Sequence, residues 1–162
     1  MKTITFLLFF TFSVSTLLAQ DFYLNANGLT CMCTDAAIGA EGVVNGITYT
    51  KRTKEQITPA NATTTCTSGI VDMSSLFLNE SNFDEDLSSW DVSKVTTMIN
   101  MFDGSGLTTE NYDNILIGWQ SLGSLSNGVT LGAIDTKYCF GAAARAIIEA
   151  QFQWVLRMME CA

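Results

Sequence analysis

The chain has 162 residues and a formal net charge of −8, with no histidine, a single proline and five cysteines. That length suits one domain, and its acidic surface repels phosphate backbones, so no nucleic acid is expected among its partners. The missing histidine removes Ser-His and Cys-His nucleophilic pairs together with the commonest zinc ligand.

Residues 1–19 read as a secretory signal. Lys2 supplies the positive start, the run from Ile4 to Leu18 is apolar, and Ala19 offers the small residue for cleavage. Thr11, Ser13, Ser15 and Thr16 interrupt the run, which argues against a spanning helix of about 20 apolar residues. A lipid anchor would need a cysteine directly after the run, and the first one is Cys31. The expected product is exported to the cell surface or beyond, with no membrane insertion once the signal is removed.

In an exported chain the cysteines read as disulfide partners. Cys31, Cys33 and Cys66 lie early, and Cys139 and Cys161 lie late. Cys139 with Cys161 would staple the C-terminal segment. Cys33, or Cys31 in its place, would pair with Cys66, leaving one thiol over. Disulfides are favoured over a metal at Cys31-Met32-Cys33, and neither a metal nor any other cofactor is expected.

Residues 20–66 read as an N-terminal cap. Asn45-Gly46 stands between Val43-Val44 and Ile47-Thr48-Tyr49, a strong hairpin signal because both turn residues tolerate positive φ. Residues 67–106 carry an internal repeat. Ile70, Met73, Leu76 and Phe77 coincide with Val95, Met98, Met101 and Phe102 at an offset of 25 residues. Such a period marks units that bury their apolar faces on one another. Trp90 and Val92, two apart, predict one face of a short strand. Met73, Leu76 and Phe77, at i, i+3 and i+4, predict the buried side of a helical turn. Ser88, Ser89, Asp91 and Ser93 would form the outward face of the strand. The carboxylates Asp84, Glu85 and Asp86, with Asp91 and Asp103 nearby, read as a solvated turn ahead of a calcium site or a glycosidase pair.

Residues 107–162 read as a helical C-terminal cap. Thr108 or Thr109 is the expected N-cap, and Tyr112, Ile115, Leu116 and Trp119 make one apolar stripe. Val129-Thr130-Leu131 alternates like a strand. A second helix is expected after Phe140, with Ala143, Ile147, Ala150 and Trp154 as its inner stripe, and the tail around Trp154–Met159 reads as more helix or a strand. Trp90 and Trp119 are expected in the core rather than in a binding site.

The string from Asp72-Met73-Ser74-Ser75-Leu76-Phe77 through Leu87-Ser88-Ser89-Trp90-Asp91-Val92-Ser93 to Val95-Thr96-Thr97-Met98 resembles the repeat of BspA-like leucine-rich-repeat surface proteins of bacteria. The flanks around Val43–Thr50 and Thr109–Trp119 are similar to segments that border such repeats. The resemblance implies secretion or surface display, protein–protein adhesion, and no catalytic residues. It also implies the fold expected here: α/β, a short leucine-rich-repeat-like solenoid with a strand plus a helical turn per unit, between disulfide-stapled caps. The functional expectation is a non-catalytic module that binds a protein ligand on host, matrix or a neighbouring cell surface, through Ser88, Ser89, Asp91 and Ser93. The alternative is a capped remnant of a longer surface protein with a purely structural role.

Overall fold

The structure, a computed structural model, describes residues 21–161. The expected signal at residues 1–19 lies outside the described residues.

The N-terminal part is built on short strands. β1 (Tyr23–Leu24) and β2 (Cys31–Met32) pair antiparallel, and β3 (Glu41–Val44) and β4 (Ile47–Lys51) form a hairpin. Asn45 and Gly46 make its turn with φ of 52° and 80°, the positive values that match the twist of the flanking strands. Two 3₁₀ turns, Lys54–Gln56 and Pro59–Thr64, bring the chain back as β5 (Thr65–Cys66). β5 lies parallel to β4, with Thr50 opposite Thr65 and Lys51 opposite Cys66. A disulfide joins Cys33 to Cys66, and Cys31 is left as a buried free thiol. Phe22, Val44 and Tyr49 pack with these cysteines into a small core of their own.

The middle of the chain overturns the expected solenoid. Among the described residues, 67–108 contain neither a regular strand nor a helix. The fold is a small mixed α/β arrangement of short sheets with two disulfides. The reason is where the backbone N–H groups go. Those of Met73, Ser75, Phe77 and Asn79 do not bond back along a helical turn but donate across to the carbonyls of Thr97, Ile99, Met101 and Asp103, at 2.8–3.0 Å. Ser75, Asn79 and Asn100 adopt left-handed φ of 59°, 61° and 57°, which breaks any continuous strand into turns with an isolated Asp72–Thr97 bridge. Asp72, Asp86 and Asp91 each accept the N–H of the serine two residues on, at 2.7–3.0 Å, so each Asp-x-Ser closes a local turn. Leu87–Ser93 is therefore a chain of turns.

The C-terminal part is the most regular. α1 (Thr109–Gln120) starts at Thr108, whose hydroxyl accepts the Asn111 N–H, and it buries Tyr112, Ile115, Leu116 and Trp119 completely. β6 (Thr130–Tyr138), α2 (Ala142–Phe152) and β7 (Val155–Glu160) follow, with β6 and β7 parallel and α2 as the crossover. The tail is thus a strand. The inner face of α2 carries Ala144 and Ile148, one residue on from the expected Ala143 and Ile147, while Ala143 and Ala150 are exposed. Small residues leave the rotation of a helix to be set by what it packs on. Cys139 and Cys161 are bonded to each other where β6 leaves and β7 ends.

The main core runs through all of this. Phe77 stacks on Phe83 at 3.8 Å and on Phe102 at 5.8 Å between ring centroids, and Trp119 lies 6.5 Å beyond Phe102. Trp90, 1 % exposed, abuts Phe77 and donates its indole N–H to the Ala62 carbonyl at 3.0 Å. Trp90→Ala is expected to cost about 3–5 kcal/mol in denaturant-induced unfolding. Phe140→Ala, at a side chain 92 % exposed, is expected to change stability by less than about 0.5 kcal/mol in the same measurement.

Candidate functional site

The four residues expected on an open face are mostly covered. Ser88 and Asp91 are buried, and Ser89 and Ser93 are half-buried. Their backbones are occupied as well. The Ser89 carbonyl accepts the Cys31 N–H at 3.0 Å, the Asp91 carbonyl accepts the Thr67 hydroxyl at 3.0 Å, and the Ser93 carbonyl accepts the Ser126 hydroxyl at 3.3 Å. α1 closes over Ser88 through Gly118, where a Cβ would lie only 2.5 Å from the Ser88 carbonyl oxygen. The exposed strand face is thus corrected on both counts. These residues lie in turns, and α1 and the N-terminal strands pack over them.

Part of the segment does reach the surface. Ser88 and Ser89, with Asp86, form one wall of a groove of about 300 Å³ whose other wall is the β3–β4 hairpin and the loop before β2. Val44 and Tyr49 make the buried floor, and Leu29 and Ile47, 40 % and 47 % exposed, make the rim. Burial pushes the Tyr49 phenol above its ordinary value, more than the Ser89 side chain bonded to it pulls it down. Behind this wall, burial and then the nearby Asp91 charge push the Cys31 thiol up to about 12, so it stands as a neutral thiol.

The acidic segment serves the fold. Asp84 Oδ1 accepts the Thr108 N–H and hydroxyl, each at 2.8 Å, and the Asn111 side-chain amide at 2.9 Å, which ties it to the start of α1. Asp103 holds the Ile134 N–H at 2.8 Å, while Glu85 and Asp86 are exposed. Among the described residues there is no group of three or more Cys, Asp or Glu placed to hold a metal. Asp113, buried on α1, accepts the N–H groups of Cys139 and Phe140 at 2.9 and 2.8 Å and thereby fixes the approach to the C-terminal disulfide.

Sequence reasoning passed over a second opening. Lys51, Arg52 and Lys54 leave the end of β4, Ser68–Asp72 leaves the end of β5, and a crevice of about 410 Å³ lies between them. The signal was available: three of the chain's eight cations fall within four residues.

Residues 47–120 match a family described as Mycoplasma protein of unknown function, DUF285. The matched stretch runs from β4 to the end of α1. No curated protein and no solved structure matches the chain. The two disulfides suit an oxidising, extracellular environment, and no helix among the described residues is long and apolar enough to cross a membrane.

Partial burial pushes the Asp84 carboxyl up, but the hydrogen bonds from Thr108 and Asn111 together outweigh it and leave the group below the usual carboxylate value. A folded value depressed in this way adds stability above the unfolded value of about 3.9, and that stability is lost as pH falls through the lower folded value. Melting temperature followed from about pH 5 down to pH 2 should therefore fall more steeply for the native chain than for Asp84→Asn, which has no charge to lose at this position.

Proposed function

We propose that the chain is an exported, non-catalytic binding module, related to the BspA-like bacterial surface proteins, that captures a protein ligand on host, matrix or a neighbouring cell surface. The groove beside the β3–β4 hairpin carries this reading. It exposes the apolar Leu29 and Ile47 over a floor of Val44 and Tyr49, and Asp86 and Ser89 supply a polar border. An apolar centre with a polar rim is the anatomy of a protein-binding patch. The stretch similar to the DUF285 family includes Ile47, Asp86, Ser88 and Ser89, which supports kinship with a bacterial family through this part of the chain. The oxidising environment that the disulfides suit is consistent with an extracellular partner. A chain without histidine meets such a role with contact area and hydrogen bonds rather than with proton transfer.

The test immobilises residues 20–162, native and Ile47→Asp, and measures binding to purified matrix proteins and to intact cells of the producing strain. The native chain should bind at least one of these, and Ile47→Asp should bind about ten-fold more weakly or worse with an unchanged melting temperature, since charging an exposed apolar contact of the groove costs about 1–2 kcal/mol or more. Equal binding by both chains would remove the groove from the account. Failure of the native chain to bind any of these surfaces would remove protein capture itself.

A further inference from the structure

The crevice at the ends of β4 and β5 is separate from the hairpin groove and has a different chemistry. β4 and β5 are adjacent and parallel, and their last paired residues are Lys51 and Cys66. Beyond that pair the two chains part, one towards Lys54 and the other towards Asp72. The residues that follow this pair, 52–55 on one side and 68–72 on the other, line an opening at the strands' carboxyl ends. The opening here is about 410 Å³.

Its charge is at odds with the rest of the molecule. The whole chain carries 16 carboxylates against eight cations, yet this crevice gathers Lys51, Arg52 and Lys54. Among the described residues the ion pairs are Lys54–Asp72 at 3.0 Å and Arg145–Glu149 at 2.7 Å. Neither uses Lys51 or Arg52. Lys51 donates to the carbonyls of Cys33 and Thr34 at 2.8 and 3.0 Å, and Arg52 Nη1 donates to the Thr64 carbonyl and the Thr65 hydroxyl at 3.1 and 2.9 Å. Neutral acceptors thus hold both heads in place, and both are half-buried with no carboxylate within 4.0 Å among the described residues. A half-buried cation fixed by neutral groups is preorganised for an incoming anion, because its position is already set before the anion arrives.

The walls narrow the choice of anion. Ile38 and Val71 flank the cations with 52 % and 56 % of their surfaces exposed. Such walls fit an acid borne on a chain with aliphatic side chains better than they fit a sulfated sugar, whose surface is mostly hydroxyl and sulfate oxygen. Two carboxylates also line the crevice. Glu55 is exposed, and Asp72 spans the opening to Lys54, each coming from a different wall. Asp72 therefore occupies a cation that an incoming carboxylate would otherwise use.

We propose that this crevice is a binding site for an extended acidic peptide segment of a partner protein, in which carboxylates meet Arg52 and Lys51, aliphatic side chains rest on Ile38 and Val71, and Asp72 acts as an internal competitor for Lys54.

The probes are two blocked peptides, acetyl-Val-Asp-Ile-Glu-Val-amide and its neutral isostere acetyl-Val-Asn-Ile-Gln-Val-amide, titrated into residues 20–162 by calorimetry and amide chemical shifts. The acidic peptide should bind and move the amides of Gly69 and Val71. Its affinity should fall about ten-fold when salt is raised from about 50 to about 300 mM, as for any contact between partly exposed charges. The isostere should bind at least about ten-fold more weakly, the loss expected when charged acceptors are replaced by neutral ones. Asp72→Asn keeps the acceptor for the Ser74 N–H and releases Lys54, so it should tighten binding of the acidic peptide by about three- to ten-fold. A gain of affinity cannot come from a damaged fold. Equal binding of the two peptides, weaker or unchanged binding in Asp72→Asn, or no binding of the acidic peptide at millimolar concentration would each overturn the proposal. Tighter binding of a sulfated disaccharide than of the acidic peptide would also overturn it, in favour of a glycan site. None of these results depends on whether Ile47→Asp alters capture at the hairpin groove.

Discussion

A buried indole N–H left without an acceptor costs about 1–3 kcal/mol, so each buried tryptophan in this chain dictates where some carbonyl must be. All three tryptophans are buried. Trp90 donates to Ala62, Trp119 to Leu87 and Trp154 to Ser126, at 3.0, 3.0 and 2.8 Å. In each case the acceptor lies 28 to 32 residues earlier in the chain. The three bonds tie segments distant in sequence to one another in a molecule whose middle has little regular secondary structure. The aromatic stack of Phe83, Phe77, Phe102 and Trp119 fills the core between the segments so tied.

The hairpin groove and the crevice at the ends of β4 and β5 both follow from this arrangement. With Trp90 held against Ala62, the turns that precede it, Asp86 to Ser89, are fixed beneath the β3–β4 hairpin, and the groove with Leu29 and Ile47 on its rim is the space left between them. The same tie fixes the second 3₁₀ turn, which leads into β5, and β5 sets the wall opposite Lys51 and Arg52. The disulfides work at the two ends. Cys33–Cys66 binds the N-terminal strands to β5, and Cys139–Cys161 closes the loop that carries α2. A loop of 22 residues closed in this way is worth about 3 kcal/mol in the chain-entropy picture.

What could be read from the sequence was what local chemistry decides. Asn45-Gly46 sets its turn without help from the rest of the chain, and Thr108 caps α1 through its own hydroxyl. The stripe of Tyr112, Ile115, Leu116 and Trp119 is strong enough to fix which side of α1 faces inward. Met73, Leu76 and Phe77 were ambiguous, because the same spacing serves a helical turn or a turn-rich segment that bonds sideways. The choice rests on the carbonyls of residues 97–103, far along the chain. Left-handed Ser75 was unannounced, since serine has no special tolerance for that region. Ser88 and Asp91 look like solvent-facing residues in sequence, and only the approach of α1 at Gly118 and the bond from Thr67 show that they are covered. The basic run at 51–54 was visible, but that Lys51 and Arg52 have no carboxylate partner among the described residues is a property of the folded molecule.

The dependence of the fold on its indole ties can be measured by hydrogen exchange at the three tryptophan Nε1 positions, followed by NMR. If those bonds hold the core together, the Trp90 and Trp119 indole protons should exchange at least about a thousand-fold more slowly than those of free tryptophan, because they are released only by opening close to global unfolding. Exchange of either proton within about ten-fold of the free rate would mean that its segment opens without unfolding the core, and would contradict the account.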